Sequence, residues 1–238
     1  MGGTGLSGSL WSSLPPLSLD SFGTRPRSAA MNFLAHFHLT PPLADALVGA
    51  YLGDFVRGPV DALPDLPLLM RQGITHHRKV DAFTDAHPVW RTSASRLPPT
   101  LRRLSGVVID IVYDHFLCRH WDRFASSTLE DFAEHCYSSL LSRTPWMSAE
   151  AQRGVRRMKD QNWIQTYTRL EGIDLAFQRM SRRSPALDRL PSASPELRQH
   201  HDALESDFLR FYPELLEFAG KSWKEICPPA VYSGPRST

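Results

Sequence analysis

Between residues 31 and 224 the apolar residues recur with the period of an α-helix, and prolines separate one such stretch from the next. The first stretch ends at Pro41-Pro42. The second, "LADALVGAYLGDFVRG", reaches the stop signal Gly58-Pro59, and a third is predicted from Leu68 to Ala86, before Pro88. We find no alternating strand pattern and no internal repeat. The predicted fold class is therefore all-α, with a single helical domain.

The C-terminal half of the domain carries further helix signals. Ser127 and Glu130 have the spacing of a capping box, and Ser148 is a suitable N-cap. Ser194 precedes a proline and an acidic residue, which predicts another helix start, and Pro213 predicts a bend. The remaining helices are predicted from just after Pro99 to about Phe124, and over 128–143, 149–161, 162–182 and 195–212.

The two ends of the chain have a different composition. Residues 1–30 contain five of the fourteen glycines and lack helical periodicity. We predict that they are a disordered extension or lie upstream of a true start at Met31. The helical domain is assigned to 31–224, and a flexible tail to 225–238.

Composition excludes several classes of protein. The net charge of +2 is too small to predict a nucleic-acid partner, and no run of about 18 apolar residues predicts a membrane span. Three cysteines without a CxxC motif indicate reduced thiols and a cytoplasmic location. The sequence leaves the oligomeric state open.

Histidine and aspartate are concentrated in the first half of the domain. This combination, without clustered cysteine, is typical of a hydrolytic centre for manganese, magnesium, iron or zinc. The residues are His36, His38, His76, His77, His87, His115 and His120, with Asp54, Asp81, Asp85, Asp110 and Asp114.

The segment 68–86 places His77, Asp81 and Asp85 on one helical face, where they could address one centre. His76 faces away from them. The alternative for Asp81 is an ion pair with an arginine.

The segment ending at Phe124 places Asp110 and Asp114 about 40° apart on an apolar face. Two buried carboxylates must be neutralised, by a metal or an arginine. His115 points about 100° or more away from the pair. The alternatives for either aspartate are capping of a neighbouring helix or pairing with a buried arginine.

Three further polar residues interrupt apolar segments of the sequence. His36 and His38 would lie about 160° apart on a helix, so only one could face a shared centre. The alternative is a core histidine bonded to backbone carbonyls. Asp54 falls near the predicted end of its helix, where the dipole disfavours a negative charge, and this makes it a candidate functional residue.

Six motifs in order, "MNFLAHFHL", "GDFVRG", "GITHHRKVDAFTD", "DIVYDHFLCRHW", "MSRR" and "FYP", resemble the acyl carrier protein phosphodiesterase family over about residues 31–220. The resemblance implies an all-helical fold distantly similar to HD-type metal phosphohydrolases. It implies a divalent metal, usually manganese, with magnesium or iron as alternatives. The implied reaction removes 4′-phosphopantetheine from holo-acyl carrier protein, its partner and substrate, and leaves the apo-carrier.

The resemblance and the chemistry of the implied reaction together suggest roles for the residues. Asp54 matches an aspartate implicated in catalysis. Beside the expected site, Arg78 or Lys79 could stabilise the charge that develops during the reaction. Asp110 and His115 are second choices for orientation or proton transfer. The hypothesised metal ligands are His36, Asp54, His77, Asp81 and Asp114.

Carriers of this kind are acidic, so a basic docking face is expected. It is assigned to Arg153, Arg156, Arg157, Lys159, Arg182 and Arg183, with an ordinary solvated face as the alternative. Two rival functions remain open, of which the first would use the same ligand set and the second would keep the basic face without a metal. One is an HD-like nucleotide phosphohydrolase, and the other is a non-catalytic carrier-binding protein.

Overall fold

The computed structural model describes residues 33–228, which form twelve α-helices and no strand. The all-α prediction is confirmed. No helix in this range has the length and apolar character needed to cross a membrane. The helices are α1 (Phe33–His38), α2 (Ala44–Leu52), α3 (Leu68–Ala86), α4 (Pro88–Ser95), α5 (Ser105–Arg119), α6 (Trp121–Phe124), α7 (Leu129–Leu141), α8 (Ala149–Asp160), α9 (Trp163–Thr166), α10 (Leu170–Ser181), α11 (Ala193–Gln199) and α12 (His201–Ile226).

The chain ends carry predictions that the structure reaches only in part. The predicted extension 1–30 lies outside the described residues, and so does the predicted tail from residue 229 onward. Helix α12 continues two residues past 224, and Cys227 is buried beside Trp223 and Ala46. The three cysteines are free and buried.

Helix α3 begins and ends where the sequence predicts, but the end predicted for α2 is wrong. Helix α2 stops at Leu52, whose carbonyl oxygen accepts hydrogen bonds from the backbone N–H of both Phe55 and Val56. The chain turns there instead of continuing to Gly58. Asp54 consequently lies in a turn after the helix and not within its last turn.

Three other predicted helices differ in their limits. The helix predicted to reach Phe124 is divided at His120 into α5 and α6, and 162–182 is divided into α9 and α10. Thr128, not Ser127, is the N-cap of α7, because its hydroxyl accepts the N–H of Asp131 at 3.1 Å. Ser148 caps α8 as predicted.

The last predicted helix is wrong at both ends. Helix α11 begins at Ala193, one residue before the predicted N-cap, and ends at Gln199. Helix α12 then passes through Pro213 without stopping. Proline has no N–H to donate to the carbonyl oxygen one turn earlier in the helix. Pro213 is exposed, so water can donate the missing hydrogen bond.

Helices α2 and α3 pack backbone against backbone. A Cβ on Gly49 would overlap the carbonyl oxygen of Met70, and one on Gly73 would overlap that of Ala46. Only glycine permits this approach. The contact fixes the turn after α2, with Asp54, against the middle of α3.

Candidate metal centre

A cleft of about 460 Å³ opens between α1, the segment after α2, α3, α5 and α12. One part of it is polar and carries His36, Asp54 and Asp81. Helix α12 contributes mainly apolar side chains to the lining. The α12 residues that line the cleft are Phe208, Phe211, Tyr212 and Leu215.

Two histidines and two aspartates meet at the polar part of the cleft. Asp81 joins both imidazoles, since its Oδ1 lies 3.1 Å from His36 Nε2 and its Oδ2 lies 3.3 Å from His77 Nε2. Asp54 Oδ1 lies 3.6 Å from His77 Nε2. The two imidazole rings stack with their centroids 3.8 Å apart. Four of the five predicted ligands are therefore brought together.

The electrostatics of this cluster favour a cation among the donors. Burial disfavours a charged His77, but the charge of Asp81 and the hydrogen bond and charge of Asp54 raise its pKa to about 10. Burial would raise the pKa of Asp81, yet the His77 charge and the hydrogen bonds from both histidines hold it well below its usual range. The pKa of His36 is lowered by burial and by His77. Without a metal, His77 is therefore the histidine of the cluster whose protonated form is favoured.

The donor set fits a divalent cation. His36, His77 and Asp81 each offer one ligand atom, and these atoms lie within 4.8 Å of one another. Asp54 Oδ2 is buried and accepts no hydrogen bond from any residue in 33–228. Imidazole nitrogens with carboxylate oxygens suit manganese, iron or zinc.

Gly53 is needed for this arrangement. A Cβ at this position would overlap the imidazole ring of His77. The turn after α2 therefore lies directly on the ring and holds Asp54 beside it. Sequence reasoning did not identify Gly53, although it precedes Asp54 in the motif "GDFVRG".

Asp114 lies apart from the cluster, and its predicted place among the ligands is corrected. Its Oδ1 accepts the N–H of Ala35 at 2.9 Å, and its Oδ2 accepts that of Leu34 at 3.2 Å. The carboxylate caps the N-terminal end of α1, which is the capping alternative left open by the sequence. Complete burial raises its pKa well above the usual value, in spite of these two bonds.

The other two predicted α5 residues, Asp110 and His115, do not share a site. Asp110 lines the cleft and accepts a hydrogen bond from Trp90 Nε1 at 3.2 Å. His115 does not line it, because its Nδ1 donates to the carbonyl oxygen of Tyr167 at 2.7 Å on another side of α5. Its position does not support proton transfer in the cleft.

Arg78 and His38 form hydrogen bonds with protein groups outside the cluster of His36, His77, Asp54 and Asp81. Arg78 lines the cleft, but its guanidinium donates to the carbonyl oxygens of Val56 and Gly58 and so fixes the segment after α2. His38 faces Tyr212 and the carbonyl oxygen of Phe124. The separation of His36 from His38 follows from the helical geometry of α1.

The predicted docking residues form a surface on α8 and at the end of α10, and none of them lines the cleft. All except Lys159 are exposed, and Lys159 pairs with Glu134 at 2.8 Å. The guanidinium of Arg183 lies over the ring of Trp163.

Two arginines of the cleft were also not predicted from the sequence. Arg57 follows Asp54 by three positions in a motif that was already singled out, so its proximity to the site could have been suspected. Arg103 lies before α5 and carries no local signal. It reaches the cleft only through the packing of α5.

Comparisons with known proteins point to one family. A family model described as acyl carrier protein phosphodiesterase matches residues 31–215. A protein of that name from Yersinia pestis is 36% identical over 190 residues, which are 79% of this chain and 97% of the relative. One from Enterobacter sp. (strain 638) is 33% identical over 78% of this chain and 96% of its own. One from Escherichia coli O45:K1 is 32% identical over 80% and 98%. No solved structure matches the chain significantly.

Proposed function

The chain belongs to the acyl carrier protein phosphodiesterase family, and from this premise we propose that it hydrolyses the phosphodiester of holo-acyl carrier protein. Water adds to phosphorus, the P–O bond to the carrier serine breaks, and the serine oxygen takes up a proton. The products are apo-carrier and free 4′-phosphopantetheine. The observation that carries this proposal is the convergence of His36, His77, Asp54 and Asp81 at one end of the cleft.

Three of these residues would hold the metal, and Asp54 would act on the attacking water. His36, His77 and Asp81 would hold a divalent ion, manganese being the first choice, through the donor atoms that now face one another. When bound, such an ion offsets the negative charge of the phosphoryl group and makes water acidic enough to attack near neutral pH. Asp54 keeps Oδ2 free of protein donors in the described structure, so this oxygen can orient the attacking water and accept its proton.

The apolar α12 residues that line the cleft support the same use. Phe208, Phe211 and Leu215 exclude water from one side of the cleft, which strengthens electrostatic interactions within it. Asp114 contributes at a distance, because it fixes the start of the short helix that carries His36.

The basic surface on α8 and α10 is proposed to attract the acidic carrier by long-range steering. Attraction of this kind weakens as salt is added. The KM for holo-carrier should therefore rise between low and high salt. A KM that stays constant would remove the support for this docking surface.

Mass spectrometry tests the proposed reaction. Holo-carrier incubated with the protein and manganese should lose the phosphopantetheine mass, and free 4′-phosphopantetheine should appear. Asp54→Ala should leave the holo-carrier intact while its circular dichroism matches the wild type. Exposed Asp61, outside the cleft, provides the matched control Asp61→Ala, which should turn over normally.

Two results would contradict the proposal. One is intact holo-carrier after incubation with the wild-type protein, and the other is normal turnover by Asp54→Ala. Nucleotides assayed in parallel separate this reaction from that of a nucleotide phosphohydrolase.

A further inference from the structure

Two arginines from separate parts of the chain line the cleft. Arg57 lies in the segment after α2, and Arg103 lies just before α5. Both side chains are exposed. Among residues 33–228, neither guanidinium donates a hydrogen bond or forms an ion pair.

The cleft needs positive charge if an anion is to enter it. Its lining includes four carboxylates, from Asp54, Asp81, Asp85 and Asp110. Arg78 is the third arginine of the lining, but it is engaged by the carbonyl oxygens of the segment after α2. A phosphodiester carries one negative charge at neutral pH. The four carboxylates outnumber the two positive charges of the proposed divalent ion and the one of Arg78, so the lining still repels it.

A guanidinium group can supply the positive charge that the cleft needs. Its planar fork of N–H donors matches two oxygens of a phosphoryl group, and it remains charged at any physiological pH. Exposed arginines are common on protein surfaces, but position distinguishes these two. Arg102, the direct neighbour of Arg103, is also exposed and does not line the cleft.

We propose that Arg57 and Arg103 bind the phosphoryl oxygens of the substrate at the mouth of the cleft and direct the phosphodiester to the His36–Asp81 end. This assignment rests on the proposed function, since it takes the phosphodiester as the ligand. It makes the two arginines substrate-binding residues and leaves Arg78 as the residue that positions the segment carrying Arg57.

Calorimetry with phosphate ligands tests the assignment directly. The full chain, saturated with manganese, is titrated with inorganic phosphate and with free 4′-phosphopantetheine. Arg57→Gln and Arg103→Gln should each raise both dissociation constants about tenfold, the loss expected for one charge-assisted contact. Arg102→Gln is the matched control and should stay within about twofold of the wild type. Manganese affinity should be unchanged in all three variants.

Apo-carrier, which lacks the phosphate, provides the discriminating arm. Its affinity should not change in Arg57→Gln or Arg103→Gln. If apo-carrier binding weakens while phosphate binding does not, the arginines contact the carrier protein and the assignment is wrong. It is also wrong if both variants bind phosphate as Arg102→Gln does.

Failure of the proposed function has a different signature. In that case the wild type leaves holo-carrier intact, yet phosphate binding still depends on Arg57 and Arg103. Binding and turnover are measured separately, so the two failures are distinguishable.

Discussion

Helices α3 and α5 carry the same kinds of residue at similar spacings but use them differently. In α3, His77 and Asp81 meet at one centre with His36. In α5, Asp110 lines the cleft, Asp114 caps α1, and His115 bonds to Tyr167. Similar spacing therefore gives one shared site in α3 and three separate contacts in α5.

The difference follows from what surrounds each helix. Every residue from 111 to 118 in α5 is buried, so the helix has neighbours on all sides. Each polar side chain on it must find a partner in its own direction. Helix α3 is only partly covered, and Asp81 and Asp85 remain accessible along the cleft. A shared face predicts a shared site only where that face borders a cavity.

The largest expected effect comes from Asp81→Asn, which tests the α3 half of the comparison. Asp81 contacts both imidazoles, and an amide offers one oxygen where the carboxylate offers two. Replacing a partner that merely supports a metal ligand costs about 10–100-fold, so a direct ligand should cost at least about 100-fold in kcat/KM. Holo-carrier turnover measures the loss, and the circular dichroism spectrum should match that of the wild type. Turnover within a few-fold of the wild type would remove Asp81 from the centre.

The pH dependence of metal binding is the next largest effect. A ligand histidine must lose its proton to bind metal, and the pKa of His77 is raised to about 10 by Asp81 and Asp54 against the opposing effect of burial. Manganese affinity should therefore rise about tenfold per pH unit between pH 6.5 and 8.5. Calorimetry in buffers of different ionisation enthalpy should show about one proton released. An affinity that does not change with pH would mean that His77 is not a ligand.

The same pKa affects the stability of the metal-free protein. The folded-state pKa of His77 lies above its unfolded value of 6.5, so its contribution to the free energy of unfolding is fully present below pH 6.5. That contribution is lost as the pH rises through about 10. His115 of α5 has a pKa lowered by burial, so it contributes no such dependence in this range.

Asp114→Asn tests the α5 half through stability. The asparagine amide has one acceptor oxygen, so one of the N–H groups of Leu34 and Ala35 is left without a partner in a buried site. The free energy of unfolding should fall by about 1–3 kcal/mol in urea titrations. Manganese should still bind at low temperature without denaturant. Loss of manganese binding at unchanged stability would restore Asp114 to the ligands, as the sequence predicted.

Features that depend on local spacing can be predicted from the sequence. Features that depend on packing between distant segments cannot. The limits of α3 follow from Pro67 and Pro88, and the i, i+4 relation of His77 and Asp81 follows from the helix. The close approach of the turn after α2 to α3 depends on the contact of Gly53 with His77, which joins residues 24 positions apart. The capping of α1 by Asp114 joins residues 79 and 80 positions apart, and no local pattern encodes it.

The smallest expected effect is that of His115→Asn, compared with the identical substitution His36→Asn. Asparagine can replace the donor to the Tyr167 carbonyl, and His115 Nε2 has no hydrogen-bond partner among the described residues, so little is lost. Turnover of holo-carrier should stay within about twofold of the wild type, with stability lowered by about 1 kcal/mol for the space left by the ring. His36→Asn withdraws a nitrogen that faces Asp81 at 3.1 Å, so it should lose most activity. If both variants lose activity equally, the α5 histidine is coupled to the cleft, and the distinction between the two helices fails at that residue.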